Sequence, residues 1–206
     1  MWWGLGALAF AIALGAATSG VLGFDATGID IWWNGVMGQW RTPGLVEIAY
    51  FFNTIGGGWI ATFAVPLAIA AALLIARRWR SAIFALLAFI LSAALVQAIK
   101  HLFGRSRPED MLVLSDYGSF PSGHTANAAT IAAVAVLLFP RVWTLILAAL
   151  WVLAMAFSRT LLSVHWMSDT IGGALVGIAA SLLLAAVMLS WVRQPPKPTA
   201  PLASLE

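Results

Sequence analysis

The stretch SAIFALLAFILSAALVQAIKHL, residues 81–102, is apolar over a length that suits a membrane-spanning helix, which needs about 20 residues. Five further stretches of this kind lie at 3–23, 55–76, 123–139, 142–161 and 170–191. The 206-residue chain is 62% hydrophobic and 9% charged, with a mean hydropathy of +0.93, which excludes a water-soluble globular domain. The sequence therefore predicts an all-α integral membrane protein with six transmembrane helices.

Two segments outside these spans have a different character. Between spans one and two, in 24–43, four apolar residues recur at helical spacing: Trp33, Val36, Met37 and Trp40. This pattern predicts a short interfacial helix on the membrane surface. The tail 193–206 is rich in Pro and small residues and is predicted to be disordered, which leaves 1–192 as one membrane domain.

The basic residues predict the orientation, because cytoplasmic loops carry the excess of Lys and Arg. With six spans both termini share one side, and six of the eleven cations lie there: Arg77, Arg78, Arg80, Arg141, Arg193 and Lys197. The other side receives Arg41, Lys100, Arg105, Arg107 and Arg159. Lys100, Arg107 and Arg159 belong to motifs described below, so the remaining comparison of six with two predicts cytoplasmic termini. A formal charge of +3, scattered between apolar runs, indicates membrane topology and no nucleic-acid partner.

Three clusters of polar residues fall at one face of this six-helix layout. Residues 100–108 read KHLFGRSRP, 121–124 read PSGH and 158–169 read SRTLLSVHWMSD. The first closes span three, the second opens span four and the third joins spans five and six. Because ionisable residues are costly in a bilayer, such clusters indicate a functional site, here on the side opposite the termini.

The clusters contain the groups that an anion site needs. Lys100 and Arg107, seven residues apart, would share one face of a helix. Ser122 and Gly123 would begin a helix, where free backbone N–H groups favour a phosphate. Arg159 offers a planar fork for bidentate contact. We expect these five residues to bind a phosphate group.

The histidines can divide the work of phosphoryl transfer. His165 and Asp169 are spaced i, i+4, so on a helical turn the carboxylate would orient the ring and leave its other nitrogen free as a nucleophile. His124, from another helix, would act as the general acid. No metal or other cofactor is required, and the absence of cysteine excludes thiol catalysis and Cys-ligated zinc.

These strings resemble the signature of the type 2 phosphatidic acid phosphatase (PAP2) superfamily. They match Lys-x6-Arg-Pro, Pro-Ser-Gly-His and Ser-Arg-x5-His-x3-Asp at every fixed position. The resemblance implies the same roles for the residues named above and a phosphohistidine intermediate. We expect a bacterial inner-membrane protein, and the predicted topology places the active site at the periplasmic or extracellular face.

Other polar or small residues have simpler interpretations. His101 lies outside the motif and is expected at the interface, whereas Arg105 is predicted either to contact a lipid headgroup or to be solvated, with nothing to choose between the two. The glycines at 56–58 and the pair Gly173 and Gly177 are read as packing contacts, with dimerisation a minor alternative, and the oligomeric state is left open.

The leading hypothesis is a membrane lipid phosphatase. Its substrate is expected to be a lipid phosphate such as polyprenyl diphosphate, phosphatidylglycerophosphate or phosphatidate. One alternative is a lipid-linked phosphotransferase that passes the group to a hydroxyl acceptor. Another is a non-catalytic protein that binds or transports an anionic lipid.

Overall fold

A computed structural model of the chain describes residues 1–20, 26–115 and 117–193, and these residues form helices joined by turns and loops. In chain order the helices are α1 (Trp2–Thr18), α2 (Gly28–Gln39), α3 (Pro43–Gly56), α4 (Val65–Ile75), α5 (Trp79–Phe103), α6 (Gly123–Leu138), α7 (Val142–Leu161) and α8 (Met167–Arg193), with a π-helical turn at Ile60–Ala64 leading into α4. The predicted all-helical membrane fold is confirmed. The predicted disordered tail, apart from Arg193, lies outside the described residues.

Three described helices, α5, α7 and α8, are long and apolar enough to cross a membrane. The pair formed by α3 and the segment Ile60–Ile75 makes a fourth when it is counted as one span bent by 52°. The apolar helices α1 and α6 have 17 and 16 residues, so at 1.5 Å per residue each is about 25 Å long, short of a 30 Å hydrocarbon core. Six spans therefore stay a prediction.

The second span differs from its predicted bounds of 55–76. A helix already begins at Pro43, which Thr42 caps by accepting a hydrogen bond from the Leu45 N–H, and the break follows at the glycines. Gly58 adopts a positive φ of 55°, a conformation that glycine tolerates best. The glycines that were read as packing contacts thus also interrupt the span.

The segment predicted as an interfacial helix contains α2, and residues 24 and 25 of that segment lie outside the described part. Thr27 caps α2 by accepting from the Asp30 N–H at 3.2 Å. Met37 is buried with Ala49 of α3, with Leu161 at the end of α7, and with Leu162 and Val164 in the turn that follows. The helix therefore packs on the turn between α7 and α8.

Helix α8 lies at the centre of the bundle, against α1, α5 and α6. A Cβ on Gly173 would lie 2.4 Å from the Ser122 carbonyl oxygen, and one on Gly177 would lie 2.3 Å from the Ala126 carbonyl oxygen. The packing role predicted for these two glycines is confirmed. Their absence of side chains lets α6 and α8 approach closely, which brings the second and third motifs together.

Candidate active site

A cavity of about 500 Å³ opens between α4, α5 and α6. Residues of all three motifs line it: Lys100 from the first, Gly123 and His124 from the second, and His165 from the third. The sequence-distant clusters thus meet at one place. Arg107, Ser122, Arg159 and Asp169 lie behind this lining, and each is described in turn.

His165 lies in the turn between α7 and α8, so it is not on the helical turn that its spacing from Asp169 predicts. Asp169 stands in the first turn of α8, where its Oδ2 accepts from the backbone N–H of Trp166 at 2.8 Å, as a capping carboxylate does. His165 Nδ1 lies 3.5 Å from the same oxygen. The carboxylate still faces the ring, at a distance longer than an ordinary hydrogen bond.

The protonation of His165 follows from its surroundings. Burial lowers its pKa to about 4; the nearby Asp169 carboxylate acts in the opposite direction, and the charges of Arg107 and Lys100 lower it further. The ring is therefore neutral at pH 7. With Nδ1 toward Asp169, Nε2 is the nitrogen that remains for chemistry, and it lies 3.4 Å from Nη1 of Arg107.

Arg105 is 2% exposed and binds the carboxylate of this histidine–aspartate pair. Its Nη1 donates to Asp169 Oδ1 at 2.5 Å and to Ser168 Oγ at 2.7 Å, while its Nη2 donates to Asp30 Oδ2 at 2.7 Å. Both sequence interpretations of Arg105, headgroup contact and solvation, are wrong. The guanidinium is buried because two carboxylates on different helices hold it there.

Asp30 was missed by the sequence analysis. It is fully buried and also accepts from the backbone N–H and the hydroxyl of Ser168, at 2.9 Å and 2.7 Å. A signal was present, because Asp30 lies seven residues before Met37 and so falls on the apolar face of α2. An acid on that face needs a buried partner. Ser119, also missed, donates its hydroxyl hydrogen to Asp169 Oδ2.

His124 stands in the first turn of α6, with Nε2 3.2 Å from the carbonyl oxygen of Asn53 on α3. The side chain of Asn53 accepts from Arg159 Nη1 at 2.8 Å, and Arg159 Nη2 donates to the Ala49 carbonyl oxygen at 3.2 Å. Asn53, which the sequence analysis missed, therefore links the predicted general acid to one of the predicted phosphate ligands.

Lys100 and Arg107 converge, although not for the predicted reason. Helix α5 ends at Phe103 and Gly104 has a left-handed φ of 54°, so Arg107 does not continue the helix of Lys100. Instead both donate to the carbonyl oxygen of Gly118, Lys100 Nζ at 2.5 Å and Arg107 Nη2 at 2.9 Å. Arg107 Nη1 also donates to the Val164 carbonyl oxygen at 2.5 Å, next to His165.

Ser122 is the N-cap of α6, and its hydroxyl oxygen accepts from the Thr125 N–H at 3.4 Å. Its backbone N–H donates to the Asp169 carbonyl oxygen at 2.9 Å, which differs from the expectation that this donor faces a phosphate. Gly123 does line the cavity. The predicted helix N-terminus is therefore present, with Gly123 as its member at the cavity wall.

His101 is exposed and stacks on Tyr117, with ring centroids 5.9 Å apart. It does not line the cavity. Its place outside the predicted site agrees with the sequence analysis.

Taken together, the fold and the site define a multi-pass helical membrane protein with two histidines and a group of cations around one cavity. The chain belongs to the PAP2 superfamily, whose family model matches residues 81–193. That range includes all three motifs.

Two curated relatives are named lipid A 1-phosphatase, one from Rhizobium johnstonii and one from Rhizobium etli. Each is 33% identical over 113 residues; the match covers 48% of this chain and 44% or 46% of the relative. The chain thus spans less than half the length of these relatives.

Two crystal structures show the same fold. The first transmembrane PAP2 type phosphatidylglycerolphosphate phosphatase from Bacillus subtilis matches with a TM-score of 0.80 and 24% identity, over 95% of this chain and all of the other. Aquifex aeolicus LpxE matches with a TM-score of 0.67 and 24% identity, over 78% of this chain and 96% of the other. These likenesses support the helical arrangement.

Proposed function

We propose that this chain is a metal-independent phosphatase that hydrolyses the phosphate ester or diphosphate of a membrane lipid. One observation carries the proposal: His165, His124, Lys100 and Gly123 line the same cavity, and the carboxylate of Asp169 lies behind the His165 ring. Pure anion binding needs cations but no buried, neutral imidazole held by a carboxylate. The geometry therefore favours turnover over binding alone.

In the proposed reaction, His165 Nε2 attacks phosphorus, so that an N–P bond forms and the bond from phosphorus to the lipid oxygen breaks. His124 gives a proton to the departing lipid oxygen. Water then attacks the phosphohistidine while His124 accepts its proton, the N–P bond breaks, and inorganic phosphate leaves. Asp169 keeps His165 in the tautomer that this sequence requires.

The cations would stabilise the charge that spreads over the phosphoryl oxygens during transfer. Lys100 and Arg107 already lie together at the Gly118 carbonyl, and Arg107 lies beside His165 Nε2. Arg159, held by Asn53, would approach from the side of His124. Gly123 would offer its backbone N–H group at the start of α6. Ser122 would do the same only after its N–H group leaves the Asp169 carbonyl oxygen.

For the setting of this reaction we propose six spans, namely α1, the bent α3–α4 pair, α5, α6, α7 and α8, with α2 at the interface. The termini would be cytoplasmic and the cavity would face the other side of a bacterial inner membrane. Candidate substrates are polyprenyl diphosphate, phosphatidylglycerophosphate and phosphatidate. The name of the curated relatives adds lipid A 1-phosphate to this group.

Phosphate release from these lipids in detergent, with EDTA present, tests the proposal. We expect the wild type to remain active under chelation and His165→Ala to be inactive, because the nucleophile is gone. His124→Ala should be strongly impaired. Orthovanadate, a mimic of pentacoordinate phosphorus, should inhibit far better than sulfate. Activity that disappears with EDTA, or turnover that persists in His165→Ala, would refute the mechanism.

A further inference from the structure

Two carboxamide side chains line the cavity one helical turn from the proposed phosphate site. Gln97 precedes Lys100 by three residues on α5, and Asn127 follows His124 by three residues on α6. Lys100, near the end of α5, and His124, near the start of α6, line the same cavity, so the two helices run in opposite directions from this end of the bundle. Both amides are therefore displaced the same way, by about 4.5 Å at 1.5 Å per residue, away from the catalytic end.

These amides differ from Ser92 and Thr130 on the same two helices. Thr130 donates to the hydroxyl of Ser92 at 2.8 Å, which satisfies both side chains within the protein. For Gln97 and Asn127, no protein partner is present among the described residues. An amide in a membrane helix carries a free-energy cost unless it forms hydrogen bonds with the protein or with a ligand. The hydrogen-bond partner of these two amides must therefore be a molecule inside the cavity.

Beyond the amides the cavity is lined by Phe89 and Ala93 of α5, by Pro66 of α4, and by Ser92, whose hydroxyl already accepts from Thr130. Along the cavity the sequence of groups is thus charged and imidazole side chains, then two amides, then hydrocarbon. A substrate that complements this order has a phosphate, then hydrogen-bond acceptors, then an alkyl chain.

Building on the proposed function, we propose that Gln97 and Asn127 select acyl-carrying lipid phosphates, in which ester or amide carbonyls lie a few bonds from the scissile phosphate oxygen. Each amide presents an NH₂ group that donates to such carbonyls. In a polyprenyl phosphate the hydrocarbon follows the phosphate oxygen directly. Both amides then face hydrocarbon with no acceptor, and a polar site rejects a ligand that leaves its groups unpaired.

A matched substrate pair tests the selection: a diacylglycerol 3-phosphate and a polyprenyl monophosphate, both monoesters, presented in the same detergent. We expect the wild type to have a kcat/KM at least about tenfold higher for the acyl lipid. A tenfold ratio corresponds to the free energy of roughly one hydrogen bond. Asn127→Leu and Gln97→Leu should each lower that value about tenfold and leave the polyprenyl value unchanged or higher. Gln39→Leu, an exposed amide on α2 outside the cavity, should change neither.

The outcomes separate the inference from the function on which it rests. If the wild type releases phosphate from both lipids and Asn127→Leu and Gln97→Leu lower both values equally, the enzyme is a phosphatase and the selection by amides is wrong. A wild-type preference for the polyprenyl lipid would also overturn the selection. If neither of these two lipids releases phosphate while another candidate lipid does, the phosphatase assignment stands and the selection by amides is wrong. If none of the candidate lipids releases phosphate, the proposed function fails and the inference fails with it.

Discussion

Arg105 shows how a buried charge outside the cavity can control a residue inside it. Its guanidinium joins Asp169, which faces the proposed nucleophile, to Asp30 on a helix near the other end of the sequence. Both ion pairs have side chains with 0% exposure. In such surroundings the loss of one partner leaves a charge without compensation, which costs far more than an exposed pair contributes.

Replacing Arg105 by Gln should therefore destabilise the protein by about 3–5 kcal/mol, because two buried carboxylates lose the cation between them. Adding Asp30→Asn should recover part of that loss, since it removes one of the two negative charges. Thermal unfolding of the two single variants and the double variant in detergent measures the coupling. If the double variant loses the sum of the single losses, Arg105 and Asp30 do not act together.

The protonation of His165 can be measured directly. Its pKa of about 4, caused first by burial, means that the neutral ring loses its free nitrogen only as the pH falls through 4. Unfolded histidine titrates near 6.5, so between these values the unfolded chain binds the extra proton and stability rises with pH. NMR of ¹³C-labelled histidine, with the signal assigned through His165→Gln, should show a midpoint near 4. A midpoint at 6 or above would contradict the burial argument.

Among the elements, the broken helix pair α3–α4 has the most direct link to the chemistry. The chain turns at Gly57 and Gly58, and a Cβ on Gly57 would lie 2.4 Å from Nε2 of His124. The break thus brings backbone against the ring of the proposed acid, and Asn53, one turn earlier, contacts the same nitrogen. A helix that continued straight would place side chains where the ring lies.

Gly57→Ala should therefore displace His124 and lower kcat by about tenfold or more, as small misplacements of catalytic groups do. Gly44→Ala is the matched control, because it lies on α3 and its new Cβ would meet nothing within 4 Å. Initial rates with a saturating lipid phosphate compare the two variants. Equal rates in Gly57→Ala and wild type would show that the ring tolerates the contact or that His124 is not the acid.

The sequence predicted those features that depend on residue spacing within one segment of the chain. Three motifs identified the residues that meet at the cavity, and apolar length identified the helices. The supporting residues could not be assigned this way, because Asp30 lies 75 residues from Arg105 and Asn53 lies 106 residues from Arg159. Only tertiary packing brings such pairs together. The local errors, helical continuity at Arg107 and at His165, arose where Gly104 and the turn at 162–166 end a helix.

The packing also explains why cations lie on the side of the cavity, which bears on the predicted membrane orientation. Of the five cations on the side of the cavity, Lys100, Arg105 and Arg159 are buried in the protein, and Arg107 is hydrogen-bonded beside His165. Arg41 pairs with Asp110 at 2.9 Å. These residues are held by the site and its surroundings, so they do not oppose the cytoplasmic preference of the basic residues on the other side.

The proposed topology can be tested directly, because the chain contains no cysteine and accepts single reporters without further change. Leu114, 96% exposed in the loop between α5 and α6, should lie outside the cytoplasm, and Pro140, exposed between α6 and α7, should lie inside. In intact cells a membrane-impermeant maleimide should label Leu114→Cys at once and Pro140→Cys only after permeabilisation. Because a single helix separates the two positions, the opposite labelling pattern would mean that the protein has the opposite orientation in the membrane. Labelling of both in intact cells would mean that α6, 16 residues long, does not cross the bilayer.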